Sequence, residues 1–172
     1  MAYTEKIYVA YDGANDNKYY NEIKEWKQSD GSSFDMIDGF DIYQSIDKVD
    51  DETLKAKLQE RMNQAKVCVL LIGEFTKSYR KFTRWQVEYA INSQMPIIAM
   101  NVNGIRSVDF DRAPTSIKKN LSLHISYQEA ILELALKNWP QSHQKYLEKE
   151  KKYNIRYDNS VYDALGLETY DL

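Results

Sequence analysis

The stretch "VCVLLIG", residues 67–73, is apolar at every position before its glycine. A strand with one wet face alternates apolar and polar side chains, but this run has no side fit for water. It predicts a central strand of a parallel sheet with helices packed on both faces. "PIIAMNVNG" (96–104) supplies a second strand of the same kind, closed by an Asn-Gly turn. "KIYVAY" (6–11), the short segment 34–37 and "LSLHISY" (121–127) are further strand candidates.

Helical stripes fall between these runs. Tyr19, Ile23 and Trp26 lie at i, i+4, i+7, and Leu54, Leu58, Met62 and Ala65 share one helical face. Thr83 and Gln86 match a capping box, which predicts a helix start at Thr83, with Phe82 and Val87 at hydrophobic-staple positions. Ser126 and Glu129 form a second such match, opening a helix predicted to end at Pro140. Residues 38–51 read as a polar loop. Strands alternating with helices argue for a three-layer α/β/α architecture around a mostly parallel, five-stranded sheet. Residues 1–140 form that domain. Residues 141–172 form a helical, tyrosine-rich extension, and Tyr153, Tyr157, Tyr162, Leu165 and Leu167 are too apolar for a free tail.

Several function classes are excluded at this level. A net charge of −3 gives no basic face for nucleic acid, and "KYLEKEKK" (145–152) mixes both signs as a solvated helix face does. The single cysteine, Cys68, sits inside the apolar run and can form no intrachain disulfide, which fits a reducing compartment. "MAYTEKIYVAYDG" is too polar for a signal peptide, and no apolar run approaches the roughly 20 residues of a membrane span. These features predict a soluble, cytoplasmic protein without nucleic-acid or membrane partners.

Ligands of open parallel sheets bind beyond the carboxyl ends of the strands. The loops there are 11–18, 38–51, 73–83 and 101–114. They contain no glycine-rich dinucleotide fingerprint and no P-loop. His124 and His143 have no metal-ligand spacing and read as structural or solvated, and Asp109 and Asp111 read as loop solvation, so no metal is expected. Asp12 and Asp16 are similar to the acidic cluster of receiver domains, but the third strand ends "LLIGEFT" without the aspartate a receiver needs. Glu88 lies one turn beyond Trp85. On spacing alone it is a surface acid pairing with Arg84 at i, i+4, a contact worth a few tenths of a kcal/mol.

The order "KIYVAYD…FDMIDGF…LKAKLQERMNQAKVCVLLIGEFT…FTRWQVEYAI…MPIIAMNVNG" resembles the TIR-like domain family of bacterial anti-phage systems, and is most similar to the NAD-consuming, signal-making members of the Thoeris system. "ALKNWP" (135–140) looks typical of the same subgroup. The resemblance implies a flavodoxin-like fold and an enzyme that cleaves nicotinamide from NAD+, its substrate, to make a cyclic ADP-ribose-type signal. It implies Glu88 as the required carboxylate. Tyr11, Asp12, Phe75 and Trp85 are the pocket residues, the aromatic ones as walls for stacking. Family enzymes often show W-x-x-x-E, and here Trp85 and Glu88 are one residue closer. A carboxylate suits this chemistry because the breaking bond leaves an oxocarbenium-like ribose. A separate effector answering the diffusible nucleotide, and self-association on activation, are further implications. A non-enzymatic interaction module and a nucleotide binder that does not cleave are the alternative readings.

Overall fold

Strand β3 (Val67–Ile72) lies at the middle of the sheet and all six of its residues are buried. A computed structural model describes residues 5–28 and 34–167 of the chain. The start of the polar N-terminus, the "GSS" before the second strand and the last residues of the tyrosine-rich segment lie outside the described residues.

β1 (Lys6–Ala10), β2 (Asp35–Ile37), β4 (Ile97–Asn101), β5 (Ser122–Ser126) and β6 (Asn154–Arg156) complete the sheet. The order is β2-β1-β3-β4-β5-β6 and every pairing is parallel. The first five strands follow the doubly wound flavodoxin-like order, in which the winding reverses between β1 and β3.

The sheet has six strands rather than the expected five. β6 comes from the C-terminal segment and pairs Asn154, Ile155 and Arg156 with Ser122, Leu123 and His124. Three residues of mixed polarity, only half-buried at an edge, leave no periodicity to read.

Alternation along the strands builds two cores. Ile7, Val9, Val67, Val69, Leu71, Ile98, Met100, Leu123 and Ile125 face α1 (Asn17–Gln28), α6 (Glu129–Glu148) and α7 (Asn159–Ala164). Tyr8, Ala10, Cys68, Leu70, Ile72, Ile97 and Ala99 face α2 (Phe40–Tyr43), α3 (Asp51–Met62), α4 (Lys81–Asn92) and α5 (Thr115–Lys118). A fully buried Leu side chain contributes about 1.5–3 kcal/mol, so Leu54, Leu58, Leu70 and Leu71, each 0–1 % exposed, anchor this arrangement.

Several local expectations change. Residues 40–43 form the short helix α2 within the segment read as a loop. α4 starts at Lys81 with Arg80 as N-cap, so Thr83 is its third residue, no side chain caps it, and neither the capping box nor the staple forms. The N-cap of α6 is Gln128, without a side-chain cap; Ser126 Oγ donates instead to Gln128 Oε1 at 2.7 Å. α6 also runs through Pro140 to Glu148. Proline costs a helix a hydrogen bond and a clash with the carbonyl four residues back. Trp139 and His143, both buried, hold the two halves to one core.

In the described part of the C-terminal segment, Tyr157, Tyr162, Leu165 and Leu167 pack against the core on the α1 and α6 side of the sheet. Tyr162 is fully buried, its hydroxyl accepts from Ser126 N at 3.2 Å, and the Arg106 guanidinium stacks over its ring at 4.0 Å. Among the described residues no helix is long and apolar enough to cross a membrane.

Candidate functional site

Three stretches meet at the carboxyl edge of β1 and β2. Tyr11, Asp12 and Gly13 follow β1, Gly39, Phe40 and Tyr43 belong to the turn after β2 and to α2, and Arg80, Phe82, Thr83 and Gln86 open α4. They line a narrow cleft enclosing about 30 Å³, room for roughly one or two waters. A ring-sized guest therefore requires the walls to part.

The α2 wall is pinned from two directions. Tyr20 Oη donates to Asp38 Oδ2, and Phe40 N donates to Asp38 Oδ1 at 2.7 Å. Arg61 of α3 donates to the Asp38 carbonyl at 3.0 Å and grips both oxygens of Asp41, holding that carboxyl below its usual range. Gly39 lies so close to the floor that a Cβ there would stand 2.6 Å from Tyr8 Oη and 3.1 Å from Phe82 Cζ. Of the other loop aspartates, Asp50 caps α3 through Thr53 N at 2.9 Å and Asp51 pairs with Lys81 at 3.1 Å.

Helix periodicity decides what α4 shows to the cleft. Lys81, Arg84, Glu88 and Asn92 are exposed at i, i+3, i+7 and i+11, while Phe82, Thr83, Trp85, Gln86, Val87 and Ala90 are buried. Gln86 is the polar exception on the inner side. Its Oε1 accepts from Tyr8 Oη at 2.6 Å and its Nε2 donates to the Phe82 carbonyl at 3.1 Å. Burial pushes the Tyr8 phenol well above its ordinary value, so it stays a donor to Gln86.

Of the residues singled out in the sequence, Tyr11 and Asp12 are brought together in the cleft. Tyr11 stacks on Tyr20 with centroids 4.6 Å apart and planes 10° from parallel. The Asp12 carboxylate accepts from Ala14 N at 3.0 Å and Asn15 Nδ2 at 2.6 Å. The other three lie elsewhere. Trp85 is 7 % exposed within the core beside α3, its ring covered by the ammoniums of Lys55 and Lys81 at 4.9 and 5.6 Å. Phe75, 53 % exposed, precedes a single 3-10 turn (Thr76–Ser78) and does not line the cleft. The Glu88 side chain is 52 % exposed on the outer side of α4, with Oε1 3.9 Å from Arg84 Nε. Inside the cleft, the four-residue spacing from aromatic to polar side chain is met by Phe82 and Gln86.

Sequence reasoning missed Gly39, Phe40, Tyr43, Arg80, Phe82, Thr83 and Gln86. A signal for Gln86 existed: an amide inside an apolar stripe, opposite a polar stripe that already contains Glu88. Asp16 was noticed but its setting was not. It is 4 % exposed at the β1–β3 reversal, where a Cβ on Gly73 would collide with its carboxyl, and its Oδ2 has no partner. Burial first, then the charge of Asp12, raises it to about 6.

Asp109, read as loop solvation, is instead 6 % exposed and accepts from Asn103 Nδ2, Asp111 N and Arg112 N, so it shapes its loop. His124 and His143 are buried, and burial lowers each to about 4. Among the described residues no cluster of three or more His, Cys, Asp or Glu side chains could hold a metal ion.

The family described as Thoeris protein ThsB, TIR-like domain, matches residues 8–107, more than half of the 172-residue chain. Every residue lining the cleft falls within that span. No curated protein matches the chain.

Proposed function

This chain belongs to the TIR-like domain family of the Thoeris protein ThsB, and from that premise we propose that it serves anti-phage defence by binding NAD+ in the cleft. It breaks the bond between nicotinamide and ribose, and another group of the same molecule captures the ribosyl cation, giving a cyclic ADP-ribose-type nucleotide read by a separate effector. The observation that carries this reading is that the matched span contains the whole cleft, at the edge where parallel sheets bind ligands.

Nicotinamide leaves as a neutral molecule from a cationic ring, so no proton donor is required. The developing positive charge on ribose needs a nearby anion. Asp12 is the carboxylate among the lining residues, and we assign it that part. Glu88, the carboxylate implied by family resemblance, can act only on a ribose presented to the outer side of α4. Tyr11 and Phe40 supply aromatic surface for the ring systems.

Chromatography of NAD+ incubated with concentrated protein tests this. Wild type is expected to release nicotinamide and a cyclic nucleotide. Asp12→Asn is expected to slow release by roughly 10²–10³-fold, and Glu88→Gln to leave it within a fewfold of wild type. Loss of turnover in Glu88→Gln, with Asp12→Asn active, moves the chemistry to the outer side of α4.

A second reading, nucleotide binding without cleavage, is favoured by Gln86. Where family enzymes often carry a carboxylate four residues after an aromatic one, the cleft has Gln86, which bears no charge to steady a cation. That reading predicts ADP-ribose binding and no nicotinamide release.

A further inference from the structure

The cleft contains two oppositely charged groups on facing walls, Asp12 after β1 and Arg80 at the start of α4. The Asp12 carboxylate already accepts two hydrogen bonds from its own loop. Arg80 is exposed, and among the described residues it has no ion-pair partner. The aspartates of residues 38–51 do not line the cleft, although the charge of Asp38 reaches Tyr11.

α4 is a 12-residue helix whose N-cap makes no side-chain hydrogen bond. Its first backbone N–H groups have no partner within the helix and carry the positive end of its dipole. Thr83, in the same turn, gives an independent sign. It is 6 % exposed and lines the cleft, yet its hydroxyl bonds to none of the described residues. A helical threonine can return its hydroxyl to a carbonyl of the preceding turn or leave it to solvent or a ligand. Here the hydroxyl of a residue only 6 % exposed overall opens to the cleft with no protein partner, beside uncapped N–H groups and the exposed Arg80 guanidinium.

We propose that Arg80, Thr83 and the first backbone N–H groups of α4 form an anion subsite that takes the diphosphate of a dinucleotide. This rests on the reading of the cleft as the nucleotide site and deepens it. Helix N-termini hold phosphates through oriented N–H groups and the dipole, and arginine adds a planar, bidentate donor. With the diphosphate on α4, the cationic nicotinamide end lies toward Asp12. The two walls then match the two charged parts of NAD+.

Calorimetric titration in phosphate-free, low-salt buffer tests the subsite. The probes are ADP-ribose, inorganic pyrophosphate and the phosphate-free nicotinamide riboside. Arg80→Gln is expected to weaken both phosphate-bearing probes about tenfold or more, and Thr83→Val severalfold, with nicotinamide riboside unaffected. Lys77→Gln, which removes an exposed charge outside the cleft, is expected to bind like wild type.

Wild type that binds neither phosphate-bearing probe overturns the subsite, as do Arg80→Gln and Thr83→Val proteins that bind both within about twofold of wild type. Nicotinamide release from NAD+ by the same preparations decides the enzymatic reading separately. Binding through Arg80 without release supports the subsite and contradicts cleavage alone.

Discussion

At the scale of single residues, Gln86 and Tyr8 show why a sequence match can mislead. Thr83 and Gln86 have the residue types and spacing of a capping box, but a cap forms only if the chain enters the helix there. Arg80 enters it earlier, and the amide of Gln86 is taken up by Tyr8, which lies 78 positions away. No local pattern encodes that contact. Tyr8→Phe leaves Gln86 Oε1 buried without its donor and is expected to cost about 1–3 kcal/mol. It should appear as a lower urea midpoint with unchanged slope. Adding Gln86→Met removes the stranded acceptor and should recover most of that loss. A double variant no more stable than Tyr8→Phe contradicts the pairing.

At the scale of elements, the central strands and the α3 stripe were legible because burial on both faces, or on one helical side, leaves a period in the sequence. Leu54, Leu58 and Met62 are each 0–1 % exposed, as their spacing predicts. α4 was legible too: its outer stripe of Lys81, Arg84, Glu88 and Asn92 agrees with the spacing, which reads Glu88 as a surface acid beside Arg84, whereas its catalytic part came from family resemblance alone. α2 and β6 were not legible because four and three residues cannot establish a period. Pro140 was read as a stop because a local rule omits what the next turn packs against. Since the ring still denies the Leu136 carbonyl its helical donor, Pro140→Ala is expected to stabilise the protein by about 1–3 kcal/mol in urea unfolding. A destabilised variant would mean that the proline fits a bend the fold requires.

For the whole molecule, buried titratable groups set the response to acid. His124 and His143 are neutral when folded, with values lowered from about 6.5 to about 4. The unfolded chain binds more protons between those limits, so stability is lost as pH falls from about 6.5 to 4. Asp16 acts in the opposite sense. Its value is raised to about 6, so the folded form holds the extra proton, and its contribution becomes unfavourable as pH rises from about 4 to 6. Urea unfolding at several pH values should show net weakening toward pH 4, the two histidines outweighing the one carboxyl. Asp16→Asn should steepen that acid loss and raise stability above pH 6. A variant with the wild-type profile would contradict the raised value of Asp16 and the burial that causes it.

The central claim is that a dinucleotide enters between α4 and the segment carrying Phe40 and Tyr43. Its most direct test is a crystal structure of the Asp12→Asn protein with NAD+. The prediction is a ligand in a widened cleft, in contact with Tyr11, Phe40 and Thr83 and with its diphosphate at Arg80. A ligand seated against Glu88 on the outer side of α4, or an empty cleft at saturating NAD+, would contradict it.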